Sequence, residues 1–191
     1  ARGNSKRIRL KNMIALNQKP LLWYTLQYIK KIDLVEHTYI STENDKISDF
    51  SKKHNFKVID RPIALSHDDT STEEVVIDAL NQIVKKGISL PKWCIILPPT
   101  SPFRKISTLK SMIELMHKIP SHIDCLMTVT QTKGDYWVEQ NSNNNILKRI
   151  FPNEPRNQQD RKPIFEENSS IYITKTDILK STHSILGNIT R

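Results

Sequence analysis

Glycine is scarce, with four residues in 191. The first loop, "ARGNSKRIRLKN", contains only Gly3. That excludes a Walker A phosphate loop, which needs spaced glycines before a Lys-Ser or Lys-Thr pair, and it excludes the three-glycine dinucleotide fingerprint. Cysteine is scarcer still. Cys94 and Cys125 each lie in an apolar run, "KWCIIL" and "IDCLMTV", where a thiol behaves as a small buried hydrophobe. Free thiols and a reducing cytosol are therefore expected, not a disulfide framework. No apolar run approaches the about 18 residues a membrane helix requires, and no signal-peptide pattern is present. The histidines are scattered without zinc-ligand spacing, no Ser-His-acid set has convincing spacing, and no aromatic-basic alternation suggests stacking on single-stranded nucleic acid.

Positive charge is plentiful. The 29 Lys and Arg against 20 Asp and Glu give a formal charge of +9, which favours anions in general: nucleotide, nucleic acid, acidic sugar or membrane surface. At 191 residues the chain can bury one substantial core. It starts at Ala1, not Met, so upstream residues are expected to be missing from this sequence.

The hydrophobic period predicts helices over 20–32, 44–54 and 106–116. Thr42 with Asp45 is the expected cap of the second. The strongest helix signal begins at the capping box Ser71 and Glu74, ahead of Val75, Val76, Ala79, Leu80, Ile83 and Val84. "VEHTYIS", "FKVI", "WCIIL", "IDCLMTVT" and "SSIYI" read as strands, and a short helix is expected near 175–180. Strands alternating with helices predict an α/β fold with a mostly parallel sheet and helices on both faces. Ligands then sit beyond the carboxyl ends of the strands, where the segments 41–45, 61–69 and 98–104 would form one rim. Residues 1–133 and 168–191 are assigned to the core. The Asn-rich, proline-broken stretch 134–167 is read as an excursion of short strands packing on a second subunit.

Taken alone, Arg2, Lys6 and Lys11 around a turn at Gly3 offer either a solvated charge run or a lip for a triphosphate, with Ser5 and Asn12 as polar partners. Arg61, restricted by Pro62, is either a surface arginine or a bidentate anion ligand. "LPPTSPFR" fixes Thr100 and Ser101 on a proline-stiffened loop with little freedom left to lose on binding.

Together these motifs resemble those of the acylneuraminate cytidylyltransferases (CMP-sialic acid synthetases) and their relatives that activate pseudaminic or legionaminic acid. Arg2, Gly3, Ser5, Lys6, Lys11 and Asn12 match the family's first loop. Ser41, Thr42 and Ile47 match the second motif, with Glu43 in place of an aspartate. Arg61, Pro62, Leu65, Asp68, Thr70, Ser71 and Thr72 match the third, and Pro99 to Pro102 the Pro-Thr-Ser-Pro loop. Arg156, Gln159, Asn168, Ile171 and Tyr172 match the late motifs. Asn4 and Ser169 stand where the family has glycine, Arg9 where it usually has proline, and Pro98 where the sialic acid enzymes often have glutamine.

The resemblance implies a Rossmann-like nucleotidyltransferase fold whose first strand precedes Ala1. It implies a cytoplasmic homodimer serving lipopolysaccharide or capsule biosynthesis, and Mg²⁺-dependent transfer of CMP from CTP to the anomeric hydroxyl of a nonulosonic acid. Arg2, Lys6 and Asn12 are the implied catalytic set, and Gly3, Asn4, Ser5, Arg61 and Thr72 join them around CTP. Thr100, Ser101, Gln159, Asn168 and Tyr172 are implied on the sugar side. The carboxylates that hold the metal are expected beyond Arg191. A non-catalytic relative that binds nucleotide or sugar is the alternative, with a basic nucleic-acid-binding domain behind it.

Overall fold

The computed structural model describes residues 1–3, 8–141 and 146–191. A two-residue hairpin of β1 (Ala15–Leu16) and β2 (Lys19–Pro20) leads into α1 (Leu21–Lys31), with Pro20 at its N-cap. Proline suits that position because its φ is preset and no N–H is lost from the helix. β3 (Tyr39–Thr42), α2 (Asp45–Lys53) and β4 (Lys57–Asp60) follow as a βαβ unit, with β3 and β4 paired in parallel. The expected cap of α2 shifts by two residues. Asn44 is the N-cap and its Oδ1 accepts from the Ile47 N–H, while Thr42 Oγ1 accepts from the Asn44 N–H and shapes the turn before it.

α3 (Thr72–Lys85) begins at the Ser71–Glu74 capping box, with both reciprocal hydrogen bonds formed. β5 (Trp93–Ile96), α4 (Ile106–Met116), β6 (Cys125–Thr132), β7 (Trp137–Asn141), β8 (Ile146–Arg149), β9 (Ile164–Lys175) and α5 (Thr176–Thr182) complete the order.

The chain forms two compact units, one of residues 1–127 and 169–191, the other of residues 128–168. In the first, residues 171–174 of β9 are all buried, and successive side chains point to opposite faces. Ile171 and Ile173 pack with Leu109 and Met112 of α4 and Tyr28 of α1, whereas Tyr172 faces Leu80 of α3 and Leu179 of α5. Helices thus cover both faces, as the period-two geometry of a strand requires when neither face meets water. A third cluster joins Leu22, Leu26 and Ile29 of α1 to Ile40 and Ile47.

The expected mostly parallel sheet is corrected by the pairing. β9 lies between β5 and β6 and runs antiparallel to β5, with Ile95 opposite Ile173. β9 enters the sheet from the 128–168 excursion and not from a crossover helix, so no βαβ constraint sets its direction. In the second unit β7 and β8 pair antiparallel, Trp137 opposite Arg149. No helix among the described residues is long and apolar enough to cross a membrane. Cys94 and Cys125 are both free thiols.

Candidate functional site

The carboxyl ends of β3 and β4 organise the site. Gly3 packs against the turn that follows β3, and a Cβ there would lie 2.7–2.8 Å from Asn44 side-chain atoms, so the close approach itself requires glycine. The Gly3 N–H donates to Glu43 Oε1 at 2.6 Å, and its carbonyl accepts from the Leu10 N–H at 3.0 Å, which closes the loop. Asn12 is 5% exposed. Its Nδ2 donates to the Arg2 carbonyl at 2.9 Å, and its buried Oδ1 has no hydrogen-bond partner among the described residues. Such an acceptor is costly unless a ligand or water satisfies it.

Arg2 is held from a third segment: Nη1 donates to the His67 carbonyl at 2.7 Å and Nη2 pairs with Asp68 at 2.6 Å. Arg61 donates from Nε to Ser41 Oγ at 3.1 Å and from Nη2 to the Ser41 carbonyl at 3.0 Å, while its own N–H meets the Thr42 carbonyl. Burial lowers the Arg61 pKa, Glu43 opposes that shift and Arg2 adds to it. Arg61 therefore ties β4 to the end of β3 and adds positive potential beside Arg2. Thr72 is exposed at the first position of α3. The expected residues Asn4, Ser5 and Lys6 lie outside the described residues.

The loop after β5 is anchored by Arg104, the last residue of "LPPTSPFR", to which the motif reading gave no role. Nε donates to the Ser170 carbonyl at 2.9 Å, Nη1 to Thr25 Oγ1 at 3.2 Å and Nη2 to the Pro98 carbonyl, while the guanidinium lies 5.9 Å from the centre of the Tyr28 ring. The signal that could have found it is an arginine directly after a loop whose prolines remove backbone donors. Thr100 is exposed on this loop, and Ser101 Oγ reaches the Ser169 carbonyl at 3.5 Å. Tyr172 is 4% exposed in the core, not on the rim. Strand alternation turns it away from the face of Ile171 and Ile173.

Gln159 and Asn168 belong to the second unit. Asn168 Oδ1 accepts from Thr128 Oγ1 at 2.7 Å, linking the two strands that leave the sheet. The Gln159 carbonyl accepts from Lys133 Nζ at 2.8 Å. Gln131, Thr132, Lys133, Gln158 and Gln159 line an open cleft of about 530 Å³.

Among the described residues no three His, Cys, Asp or Glu side chains gather as a metal site. Near the first loop, Glu43 is engaged by the Gly3 N–H and Asp68 by Arg2. The residues described do not fit a protein-built Mg²⁺ cage.

Residues 1–187 match the model of the family described as cytidylyltransferase. The CMP-N,N'-diacetyllegionaminic acid synthase of Legionella pneumophila is 29% identical over 177 residues, spanning 91% of this chain and 74% of that protein. The N-acylneuraminate cytidylyltransferase of Escherichia coli is 27% identical over 133 residues, spanning 69% of this chain and 30% of that longer one. A solved CMP:2-keto-3-deoxy-manno-octonic acid synthetase complexed with CTP superposes with a TM-score of 0.69 at 15% identity, over 96% of this chain and 74% of that one. That likeness shows a Rossmann-like nucleotidyltransferase fold.

Proposed function

Because the chain belongs to the cytidylyltransferase family, in the branch that includes the CMP-sialic and CMP-legionaminic acid synthases, we propose that it transfers CMP from CTP to the anomeric hydroxyl of a sialic-acid-like nonulosonic acid. The chain is a nucleotidyltransferase, and the general reaction is formation of a CMP-sugar from CTP. In the proposed step the sugar oxygen attacks the α-phosphorus in line. The new O–P bond forms as the bond to the β-phosphate oxygen breaks, pyrophosphate leaves with the electron pair, and the hydroxyl proton passes to solvent.

The observation that carries this reading is that Gly3 and Arg61 both meet residues 41–44 at the end of β3, with Arg2 next to Gly3 and its carbonyl held by Asn12. Arg2 and Arg61 supply positive charge where the leaving group's negative charge grows, and such preset charge acts without reorganisation. Asn12 fixes the Arg2 backbone by its hydrogen bond to the Arg2 carbonyl. Mg²⁺ enters the proposal as the ion that travels on the triphosphate, which is its usual mode of binding. Lys6, Ser5 and Asn4 complete the loop by family resemblance, and Thr72 lies at the start of α3. Thr100, Ser101, Gln159 and Asn168 are proposed on the sugar side.

The reading includes a cytoplasmic homodimer formed through the excursion. Trp137, Val138, Ile146 and Leu147 on the β7–β8 hairpin are 46–59% exposed, apolar surface divided between the two faces of the hairpin, part of which a second copy would cover.

Pyrophosphate release from CTP and Mg²⁺ by the full-length protein, with each of N-acetylneuraminic, legionaminic and pseudaminic acid, tests the proposal. Release with one acid, lost in Arg2→Ala, supports it. CTP binding without release for any acid would overturn it.

A further inference from the structure

Two arginines of the second unit share one carboxylate. Asp135, between β6 and β7, accepts from Arg149 Nε at 2.6 Å on one oxygen and pairs with Arg161 Nη2 at 3.1 Å on the other. Both arginine side chains are 11% exposed and Asp135 is 19% exposed. The guanidiniums also reach backbone carbonyls, with Arg161 Nη2 serving both Asp135 and Arg156. Arg149 donates to Pro152 and Pro155 at 3.1 Å each, and Arg161 donates to Pro155 at 2.8 Å, to Lys133 at 3.1 Å and to Arg156.

This arrangement replaces a backbone ladder. The segment between β8 and β9 contains three prolines and only a single 3₁₀ turn, Gln158–Asp160. Its shape therefore depends on side chains that hold its carbonyls. The cleft beside it shares that support. Lys133 is held at its carbonyl by Arg161, while its Nζ holds the Gln159 carbonyl.

We propose that Asp135 is a positioning residue for the acid substrate: through Arg149 and Arg161 it presets the 152–161 segment and the Gln158–Gln159 wall of the cleft, and so governs affinity for the sugar acid but not for CTP. The proposal rests on the reading above that Gln159 lies on the sugar side. Preset geometry matters because binding then orders little that was free. Removing the shared charge while keeping the shape leaves two adjacent guanidiniums without their counter-ion, and their repulsion loosens the segment.

The test is steady-state pyrophosphate release by the full-length protein with the nonulosonic acid it turns over, comparing Asp135→Asn, Asp135→Glu and Gln159→Ala. Asp135→Asn is expected to raise KM for the acid on the order of tenfold or more, and to leave KM for CTP within about twofold. Hydrogen exchange is expected to quicken in residues 152–162 and to stay unchanged in the first unit. Asp135→Glu retains the charge and is expected to shift KM in the same direction by less. It carries the test if Asp135→Asn does not fold.

An unchanged acid KM in Asp135→Asn overturns the proposal, as does a lowered one, which would mean that the added positive charge simply attracts the substrate. An equal rise in both KM values also overturns it, because the loss would be general. The control separates the two readings. If Gln159→Ala raises the acid KM and Asp135→Asn does not, only the positioning role fails. If Gln159→Ala has no effect, or no acid is turned over, the sugar-side reading fails and the role of Asp135 fails with it.

Discussion

Asp68 stands 2.6 Å from the guanidinium of Arg2, and the preceding carbonyl, that of His67, takes a second nitrogen of the same group at 2.7 Å. The cation proposed for the triphosphate is thus already occupied by the segment that leads into α3. The side chains are 31% and 26% exposed, so solvent screens the pair and its worth is about 0–1 kcal/mol. A triphosphate must displace Asp68 or share Arg2 with it. Asp68→Asn is accordingly expected to lower the Kd for CTP by up to about fivefold, most at low salt, and Arg2→Ala to raise it about ten- to a hundredfold. Calorimetric titration with CTP at two salt concentrations checks both. A weaker Kd in Asp68→Asn would show instead that Asp68 holds Arg2 in its working position.

Arg104 ties three segments that are distant in sequence. Its acceptors belong to Pro98, Ser170 and Thr25, and burial pushes its pKa down to about 10, which leaves it a cation at neutral pH. Arg104→Ala is expected to cost about 2–3 kcal/mol in urea unfolding, because it strips a charged donor from buried or half-buried oxygens. Arg104→Lys is expected to recover less than half of that, since an ammonium cannot reproduce the fork. Full recovery by lysine would reduce the role of Arg104 to its charge.

Ser169 occupies the left-handed region at φ +51°. An L-residue with a Cβ is strained there by about 1–2 kcal/mol, and glycine removes that strain while adding freedom to the unfolded chain. Ser169→Gly is expected to stabilise the protein by about 0.5–1 kcal/mol, seen as a Tm higher by about 1–4 °C. The Ser101 contact goes to the Ser169 carbonyl and survives the change. A lower Tm would mean that the hydroxyl matters more than the strain.

Burial pushes the Cys94 thiol up to about 11 from an ordinary value of 9.0. The native state then keeps a proton that the unfolded chain releases, so the stabilisation is complete below pH 9 and is lost as the pH rises towards 11. Stability measured by urea is expected to fall through that window in the native sequence, and the fall is expected to be shallower in Cys94→Ala. Identical slopes would remove Cys94 as the cause.

Features decided within a turn or two of chain were readable before the structure. The Ser71–Glu74 box, the apolar faces of α1, α3 and α4, and the strand β5 each depend on neighbours at most a few residues away. The parallel β3–β4 pair followed from the helix between them, because a crossover returns the chain in the same direction. Even locally the reading missed by two residues at α2, where Asn44 and Thr42 offer chemically similar caps and only the backbone path chooses between them.

The site was legible as residue types, not as contacts. Arg2, Gly3, Asn12 and Arg61 carried the resemblance in the sequence. That Gly3 is required by Asn44, that Asp68 occupies Arg2 and that Arg61 grips Ser41 are facts of folding. Tyr172 matched a motif, but it lies in the core because strand alternation sets its direction.

Arg104 and Asp135 gave no periodic signal, since their partners lie 66, 79, 14 and 26 residues away. Composition, caps and period determined the elements and the charge, and the motifs carried the family resemblance. The antiparallel entry of β9, the tether on Arg2 and the arginine pair on Asp135 were decided by tertiary structure alone, because a hydrogen bond acts over about 3 Å and only the folded chain brings such distant residues that close.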